Sequence, residues 1–370
     1  MTEFIRKAEK VWEEFKDYVP TFDEVCEILE KEVVNIEDAA KLLNVEDKNS
    51  ILLMASKAKK LTRENFGKVI LLYAPLYISN YCQNGCVYCG FSCRKNYKRE
   101  KLEFNEIENE LRAMKEEGID SVIILTGEDR IHSPVDYIEQ ACKIAANYMS
   151  EVSIEVYPLL EEEYRSLANS GVVGITIYQE TYQKEDYEKL HPFGPKKDFE
   201  FRLKAVERAL SAGFHEACVG PLLGLSHPKK DVLCTLLHAE YLLDRFPKAE
   251  ISVSFPRVRS AGTDFVPPYS VCDKDFIKFL IIARLYLPRV GIVISTREDA
   301  RLRDALIDMC ITKMSAGSKT TVGGYVAQEE EKDAQFEVED RRTVAEVVDS
   351  IIKKGLRPEF TNWVRGVGSL

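Results

Sequence analysis

"VILLYAPLYISNYCQNGCVYCGFSC", residues 69–93, joins two kinds of sequence. The run from Val69 to Ile78 is apolar, β-branched and aromatic with no charge, the composition of a strand buried on both faces. Directly after it, Cys82, Cys86 and Cys89 fall within eight positions, with Cys93 just beyond. Such spacing lets one tight turn aim several thiolates at a common centre, which points to a metal or cluster rather than a disulfide.

Seven further runs of the first kind follow: Ser121–Thr126, Val152–Pro158, Val172–Tyr178, Glu216–Gly220, Glu250–Phe255, Val290–Ser295 and Ile311–Ala316. Between them the period becomes helical, as in Ile107, Leu111 and Met114 before Gly118, Leu203, Val206 and Leu210 before Gly213, and Leu302, Leu306 and Met309. Ser133-Pro134 reads as an N-cap followed by proline at the first helical position. Eight strands separated by helices predict a parallel (β/α)8 TIM-type barrel over residues 66–330, with a doubly wound open sheet as the competitor. A helical extension, residues 1–65, precedes it and carries the capping box Thr21 to Glu24. Residues 331–370 form a C-terminal extension that closes or packs on the barrel. The acidic stretch "QEEEKDAQFEVED" reads as a loop, and a box from Thr343 to Glu346 opens a last helix.

The 370 residues suffice for one large barrel or two ordinary domains. With 51 basic and 61 acidic residues the net charge is −10, and no long basic run occurs, so a nucleic-acid partner is disfavoured. No apolar stretch approaches the roughly 20 residues of a membrane span, and the charged start "MTEFIRKAEKVWEEF" is unlike a signal peptide; a cytoplasmic location is expected. Of the ten cysteines, Cys26, Cys142, Cys234 and Cys310 fall in apolar patterns and read as small core residues.

The cysteine loop admits three readings. A structural zinc site and a fully ligated electron-transfer cluster each want four ligands, and Cys93 is available as the fourth. Three cysteines on a four-iron cluster would instead leave one iron open to a substrate. The lack of a second paired Cys or His element argues against zinc, and a whole barrel is superfluous for holding a cluster that only passes electrons.

Cys-x3-Cys-x2-Cys with an aromatic, Tyr88, before the last cysteine resembles the radical S-adenosylmethionine (SAM) signature. More closely, "LLYAPLYISNYCQNGCVYCGF", "ILTGEDRIHSPVDYI", "IEVYPLLEEEY", "GITIYQETY", "HPFGPKKDFEFRL", "GPLLGLS", "SVSFPRVR", "STRE", "MSAGSKT" and the late "RPEFTNW" resemble, in order, the 2-iminoacetate synthase (ThiH) family, the radical SAM tyrosine lyases of thiamine biosynthesis. "GLSHPKKD" departs from the family and reads as a surface loop.

That resemblance implies a [4Fe-4S] cluster on Cys82, Cys86 and Cys89, with S-adenosyl-L-methionine on the open iron. It implies cleavage of the Cα–Cβ bond of L-tyrosine, through a 5'-deoxyadenosyl radical, to p-cresol and dehydroglycine (2-iminoacetate). The implied partners are a low-potential electron donor of the flavodoxin or ferredoxin type and the thiazole synthase that consumes the imine. Cofactor contacts carried over are Tyr88 near the adenine, Glu128 in "TGE", Glu155 in "IEVYP", Glu180 in "YQET" and Arg202 in "FEFRL". Tyr77, Arg297 and Ser315 are expected to bind tyrosine, with Arg257 and Arg259 as second choices. His191 reads as a loop-structuring residue; His132, His215, His227 and His238 have weaker claims to a role. Rival readings are a hydrogenase maturase that also cleaves tyrosine but carries further C-terminal cysteines, a tryptophan lyase, and a non-catalytic iron-sulfur or zinc protein.

Overall fold

All eight apolar runs form parallel strands: β1 (Val69–Ser79), β2 (Ser121–Thr126), β3 (Glu151–Glu155), β4 (Gly174–Glu180), β5 (Glu216–Pro221), β6 (Glu250–Ser254), β7 (Gly291–Ile294) and β8 (Lys313–Ser315). The computed structural model describes residues 2–96, 98–326 and 334–362. Each strand pairs with the next, and β1 pairs with both β8 and β2, so the sheet closes into a barrel and the open-sheet alternative falls. β2 is buried along its whole length, because parallel strands covered by helices outside and packed side chains inside have no wet face. On the helix Phe104–Glu116 between β1 and β2, the stripe Ile107, Leu111 and Met114 is fully buried. Each such side chain contributes about 1.5–3 kcal/mol relative to exposure.

A short ninth strand, β9 (Arg357–Glu359), was not anticipated. It pairs with Val69–Leu71 of β1. Since Leu71 also pairs with Lys313 of β8, β9 lies on the β2 side of β1, below the point where β2 begins its own pairing at Ala74.

The helices Thr2–Phe15, Phe22–Glu30, Ile36–Leu42 and Lys48–Phe66 form the N-terminal extension, and both sides of the Thr21–Glu24 box are bonded. They pack on the flank of the barrel, against the helices Pro228–Arg245 and Asp273–Tyr286. Asn44 donates to the carbonyls of Phe15 and Tyr18, and the fully buried Lys278 donates to that of Val45 at 3.0 Å. The Thr343–Glu346 box opens the helix Val344–Lys353 as expected. The acidic part of the loop at 328–333 and Trp363 of "RPEFTNW" lie outside the described residues.

Two local expectations are corrected. Pro134, with ψ of 164°, is itself the N-cap of the helix Val135–Ala146, so Ser133 stands one residue early and its carbonyl accepts from the Tyr157 hydroxyl at 2.6 Å. "GLSHPKKD" is not a surface loop: Leu225, Ser226 and Asp231 are buried, and Pro228 to Asp231 open a helix. Asp231 accepts from the Thr181 hydroxyl and the Tyr182 N–H, fastening that helix beneath the end of β4. Every described cysteine is free, and no described helix is long and apolar enough to cross a membrane.

Candidate active site at the barrel mouth

β1 ends at Ser79, and the chain turns at once into the cysteine loop at the C-terminal rim, where barrels of this kind place their chemistry. Arg99 closes the loop on itself, donating to the carbonyls of Asn80, Phe91 and Ser92 at 2.7, 2.9 and 2.8 Å. The loop is also stitched to its neighbours: Gly127 N–H to the Ser79 carbonyl, Gln83 N–H to that of Glu128, Gly85 N–H to that of Phe193. Close approach needs glycine here. A Cβ on Gly127 would stand 2.2 Å from the Tyr81 carbonyl oxygen and 3.2 Å from Cys82 Cβ.

Asn84, buried within the loop, joins three segments through one amide. Its Nδ2 donates to Glu128 at 2.7 Å and approaches Cys82 Sγ at 3.7 Å, while its Oδ1 accepts from the Lys196 N–H at 2.9 Å. Burial pushes the Cys82 thiol up to about 12, and Glu128 and Cys89 act in the same direction. Cys86 and Cys89 are raised by burial too, and the Lys196 ammonium opposes the rise at both.

Among the described residues no three His, Cys, Asp or Glu groups converge tightly enough to hold a single metal ion. In a four-iron cluster each thiolate takes a separate iron, so three thiols need not converge on one point. Buried thiols beside a buried ammonium also suit a group whose iron stabilises the thiolate form. Cys93 is exposed, with its thiol toward the Gln83 carbonyl at 3.6 Å.

The charged residues expected at the mouth gather beside the loop. Arg202 donates to Glu128 at 2.8 Å, to the Tyr178 carbonyl at 2.8 Å and to Glu180 at 3.4 Å, and Lys196 donates to Glu180 at 2.6 Å. Burial works to raise the Glu180 carboxyl, but Lys196 and Arg202 overcome it and hold the group below its ordinary value. For Arg202, burial opposes the charge and is outweighed by Glu128 and Glu180, so its pKa rises. Glu180 adopts φ of 72°, the left-handed region, at a bulge where the β4–β5 register shifts. A side chain there costs about 1–2 kcal/mol, which its two cationic partners help offset.

Tyr88 is buried, and its hydroxyl meets His191 Nε2 at 2.8 Å while His191 Nδ1 faces the Tyr187 carbonyl at 2.7 Å. With Nδ1 donating to that carbonyl, Nε2 accepts from Tyr88. Burial first, then Lys196, lowers the His191 pKa to about 3, so the ring is neutral and orients Tyr88, in line with a structural histidine.

A cavity of about 70 Å³ is lined by Tyr88, Cys89, Glu155, Glu180, Lys196 and Arg297, together with Arg259, Gln335 and Phe336. A hollow of about 760 Å³ beside Tyr81 and His132 is larger, but none of the cysteines lines it, so chemistry rather than volume picks the smaller one. Burial pushes the Glu155 carboxyl up to about 7, with Arg297 opposing and Glu180 adding to the rise. Tyr77 is buried and donates from its hydroxyl to Gln335 Oε1 at 2.7 Å.

Ser315 and Arg257 do not line that cavity. The Ser315 hydroxyl accepts from the Thr296 N–H at 3.1 Å, and Arg257 is engaged by Glu298, Asp273 and the Val271 carbonyl. Arg259 lines the cavity while donating to Glu298 at 2.8 Å. Sequence reasoning missed Asn84, Lys196, Gln335 and Phe336, although Asn84 and Lys196 stand inside the quoted "LLYAPLYISNYCQNGCVYCGF" and "HPFGPKKDFEFRL".

Residues 76–237 match the model of the Radical SAM superfamily, and residues 252–357 match the Biotin and Thiamin Synthesis associated domain. The 2-iminoacetate synthase of Escherichia coli (strain K12) is 34% identical, over 88% of this chain and 87% of that protein. Among solved structures, HydG, a maturase of the [FeFe]-hydrogenase, is similar with a TM-score of 0.92 and 34% identity, covering 99% of this chain and 82% of that one. Methylornithine synthase (PylB), at 20% identity and a TM-score of 0.72 over 94% of this chain and 99% of that one, shares the fold. From the extent of the match to the synthase, the chain belongs to the 2-iminoacetate synthase family of radical SAM proteins.

Proposed function

We propose that this protein is a radical SAM lyase that cleaves the Cα–Cβ bond of L-tyrosine to 2-iminoacetate and p-cresol, supplying the imine for the thiazole of thiamine. The observation that carries the reading is one cavity lined jointly by a cysteine of the loop, by Glu155, Glu180 and Lys196, and by Arg297. In this reading Cys82, Cys86 and Cys89 hold the [4Fe-4S] cluster. The cluster and SAM, once bound there, would supply the radical chemistry that no side chain of the protein can.

The chain's own residues bind and confine. Glu128 offers a carboxylate to the cofactor's ammonium, and Arg202 and Glu180, locked to each other and to Lys196, set the charge around it. Tyr88, fixed by His191, supplies a flat wall for the adenine. Arg297 faces the substrate, and Tyr77 stands behind the cavity wall, bonded to Gln335. Loops at the rim exclude water, so only the intended hydrogen is within reach of the radical. Ser315 and Arg257 act at one remove, through Thr296 and Glu298, while Arg259 lines the cavity held by Glu298. A flavodoxin- or ferredoxin-type donor and a thiazole synthase are the proposed partners, in the cytoplasm. The helical residues 1–65, the barrel 66–330 and the extension 331–370 are the proposed units.

The test is anaerobic: reconstitute with iron and sulfide, add dithionite, SAM and L-tyrosine, and measure 5'-deoxyadenosine and p-cresol by mass spectrometry. Both products are expected, and neither from Cys86→Ala. 5'-Deoxyadenosine without p-cresol would keep the radical chemistry and reject tyrosine. The likeness to HydG favours one second reading, a hydrogenase maturase, which would show itself by cyanide and carbon monoxide in place of the imine.

A further inference from the structure

A segment beyond the barrel supplies part of the wall of the candidate site. It crosses the mouth by backbone hydrogen bonds, Gln335 N–H to the Thr320 carbonyl, Glu337 N–H to that of Ser260, and Glu339 and Asp340 N–H to that of Thr296. These partners lie on the loops after β8, β6 and β7. At its far end the buried Asp340 carboxylate pairs with Arg303 and Arg342. At its near end the backbone lies on the cysteine loop, where a Cβ on Gly90 would meet the Gln335 carbonyl oxygen at 2.5 Å. The segment thus sets Phe336 in the cavity, with the Arg297 guanidinium 3.3 Å from the centre of its ring.

Arg297 differs from its neighbours. Arg202, Arg257 and Arg259 each hold a carboxylate, whereas the Arg297 guanidinium donates to no described residue; only its backbone N–H is engaged, by Ser295 Oγ at 3.4 Å. An aromatic ring over one face of a guanidinium leaves all five N–H donors in the plane, edge-on, as a fork matched to a carboxylate.

We propose that Phe336 is a positioning residue: by stacking on Arg297 it presents the guanidinium edge to the α-carboxylate of a free amino-acid substrate. The lyase reading enters only in naming that amino acid as tyrosine.

The test uses the reconstituted holoenzyme and the variants Phe336→Leu and Phe336→Tyr. Phe336→Leu is expected to raise the KM for L-tyrosine about ten-fold, the scale of a stacked cation lost from a desolvated site, while leaving iron content and the KM for SAM unchanged. Phe336→Tyr keeps the ring and is expected to restore the KM to within about two-fold of wild type. Equal rises in both KM values, or loss of iron, would overturn the proposal and make Phe336 a plain cover. Should Phe336→Leu fold poorly, Arg297→Lys and the double variant decide: the proposal requires that the Phe336 effect nearly vanish once the fork is gone, and additive effects reject it. Tyramine, which lacks the carboxylate, must stimulate 5'-deoxyadenosine formation far less than tyrosine; equal stimulation also rejects it. If wild type makes no p-cresol, the lyase reading fails by itself. Stimulation by another free amino acid, weakened in Phe336→Leu and kept in Phe336→Tyr, would then still support the inference, and no stimulation by any amino acid would overturn it.

Discussion

At the scale of single residues, Asn84 shows how little of a site needs to touch the chemistry. Replacing it with alanine strands the Glu128 oxygen and the Lys196 N–H it serves, at about 1–3 kcal/mol for each buried group left unpaired. Asn84→Ala is therefore expected to weaken SAM binding about ten-fold or more in equilibrium dialysis; unchanged affinity would show that Glu128 needs no such support. Glu155 gives a pH-dependent case. Its folded carboxyl titrates near 7 against an ordinary 4.5, so the native state holds the proton longer than the unfolded chain does. Its contribution to stability thus falls as pH rises through 4.5 to about 7, and the penalty is complete above that. Glu155→Gln is expected to raise the thermal midpoint of the ligand-free protein relative to wild type at pH 8 and to change it little at pH 4.5. The reverse order would mean that Arg297 outweighs burial. Residues of the loop were legible because cysteine spacing is local. Asn84 and Lys196 were not, since the bond between them spans 112 positions that only the closed barrel brings together.

At the scale of elements, the strands announced themselves because burial on both faces demands an unbroken apolar run. β9 had no such signature. Arg-Pro-Glu is short, polar and contains a proline, and it is a strand only because the foot of β1 offers unpaired backbone on its β2 side. The segment ending at Asp340 was equally silent, reading as a loop because its partners are carbonyls on three other loops. Its anchor can be tested directly. Arg303 and Asp340 are both buried, so Asp340→Ala leaves a buried cation without its carboxylate, a loss of about 3–5 kcal/mol that a drop in thermal midpoint would report. The apolar pair Arg303→Met with Asp340→Leu is expected to recover much of it. If the single variant melts like wild type, the Arg303–Asp340 pair does not anchor the segment.

At the scale of the whole molecule, flank and mouth are separable. Phe4 stacks on His238 at 4.9 Å and Trp12 packs on His227 at 4.6 Å, fastening the first helix to the Pro228–Arg245 helix, and no residue before Val69 lines the cavity. Phe4→Ala is expected to cost about 3 kcal/mol in stability while kcat/KM at low temperature stays within about two-fold of wild type. A large fall in kcat/KM with the fold intact would show that flank and mouth are coupled.

The strand that bears the cysteine loop has its other partners late in the chain. β1 is made early, yet it is paired by β8 at residues 313–315 and by β9 at residues 357–359. While a ribosome is still translating the second half of the chain, the three thiols therefore hang from a strand that has β2 along one edge and nothing yet along the other. The wall around the three thiols is in consequence completed only when residues 313–315 and 357–359 have been made, so the cysteine loop is one of the first parts of the site to be synthesised and one of the last to be enclosed.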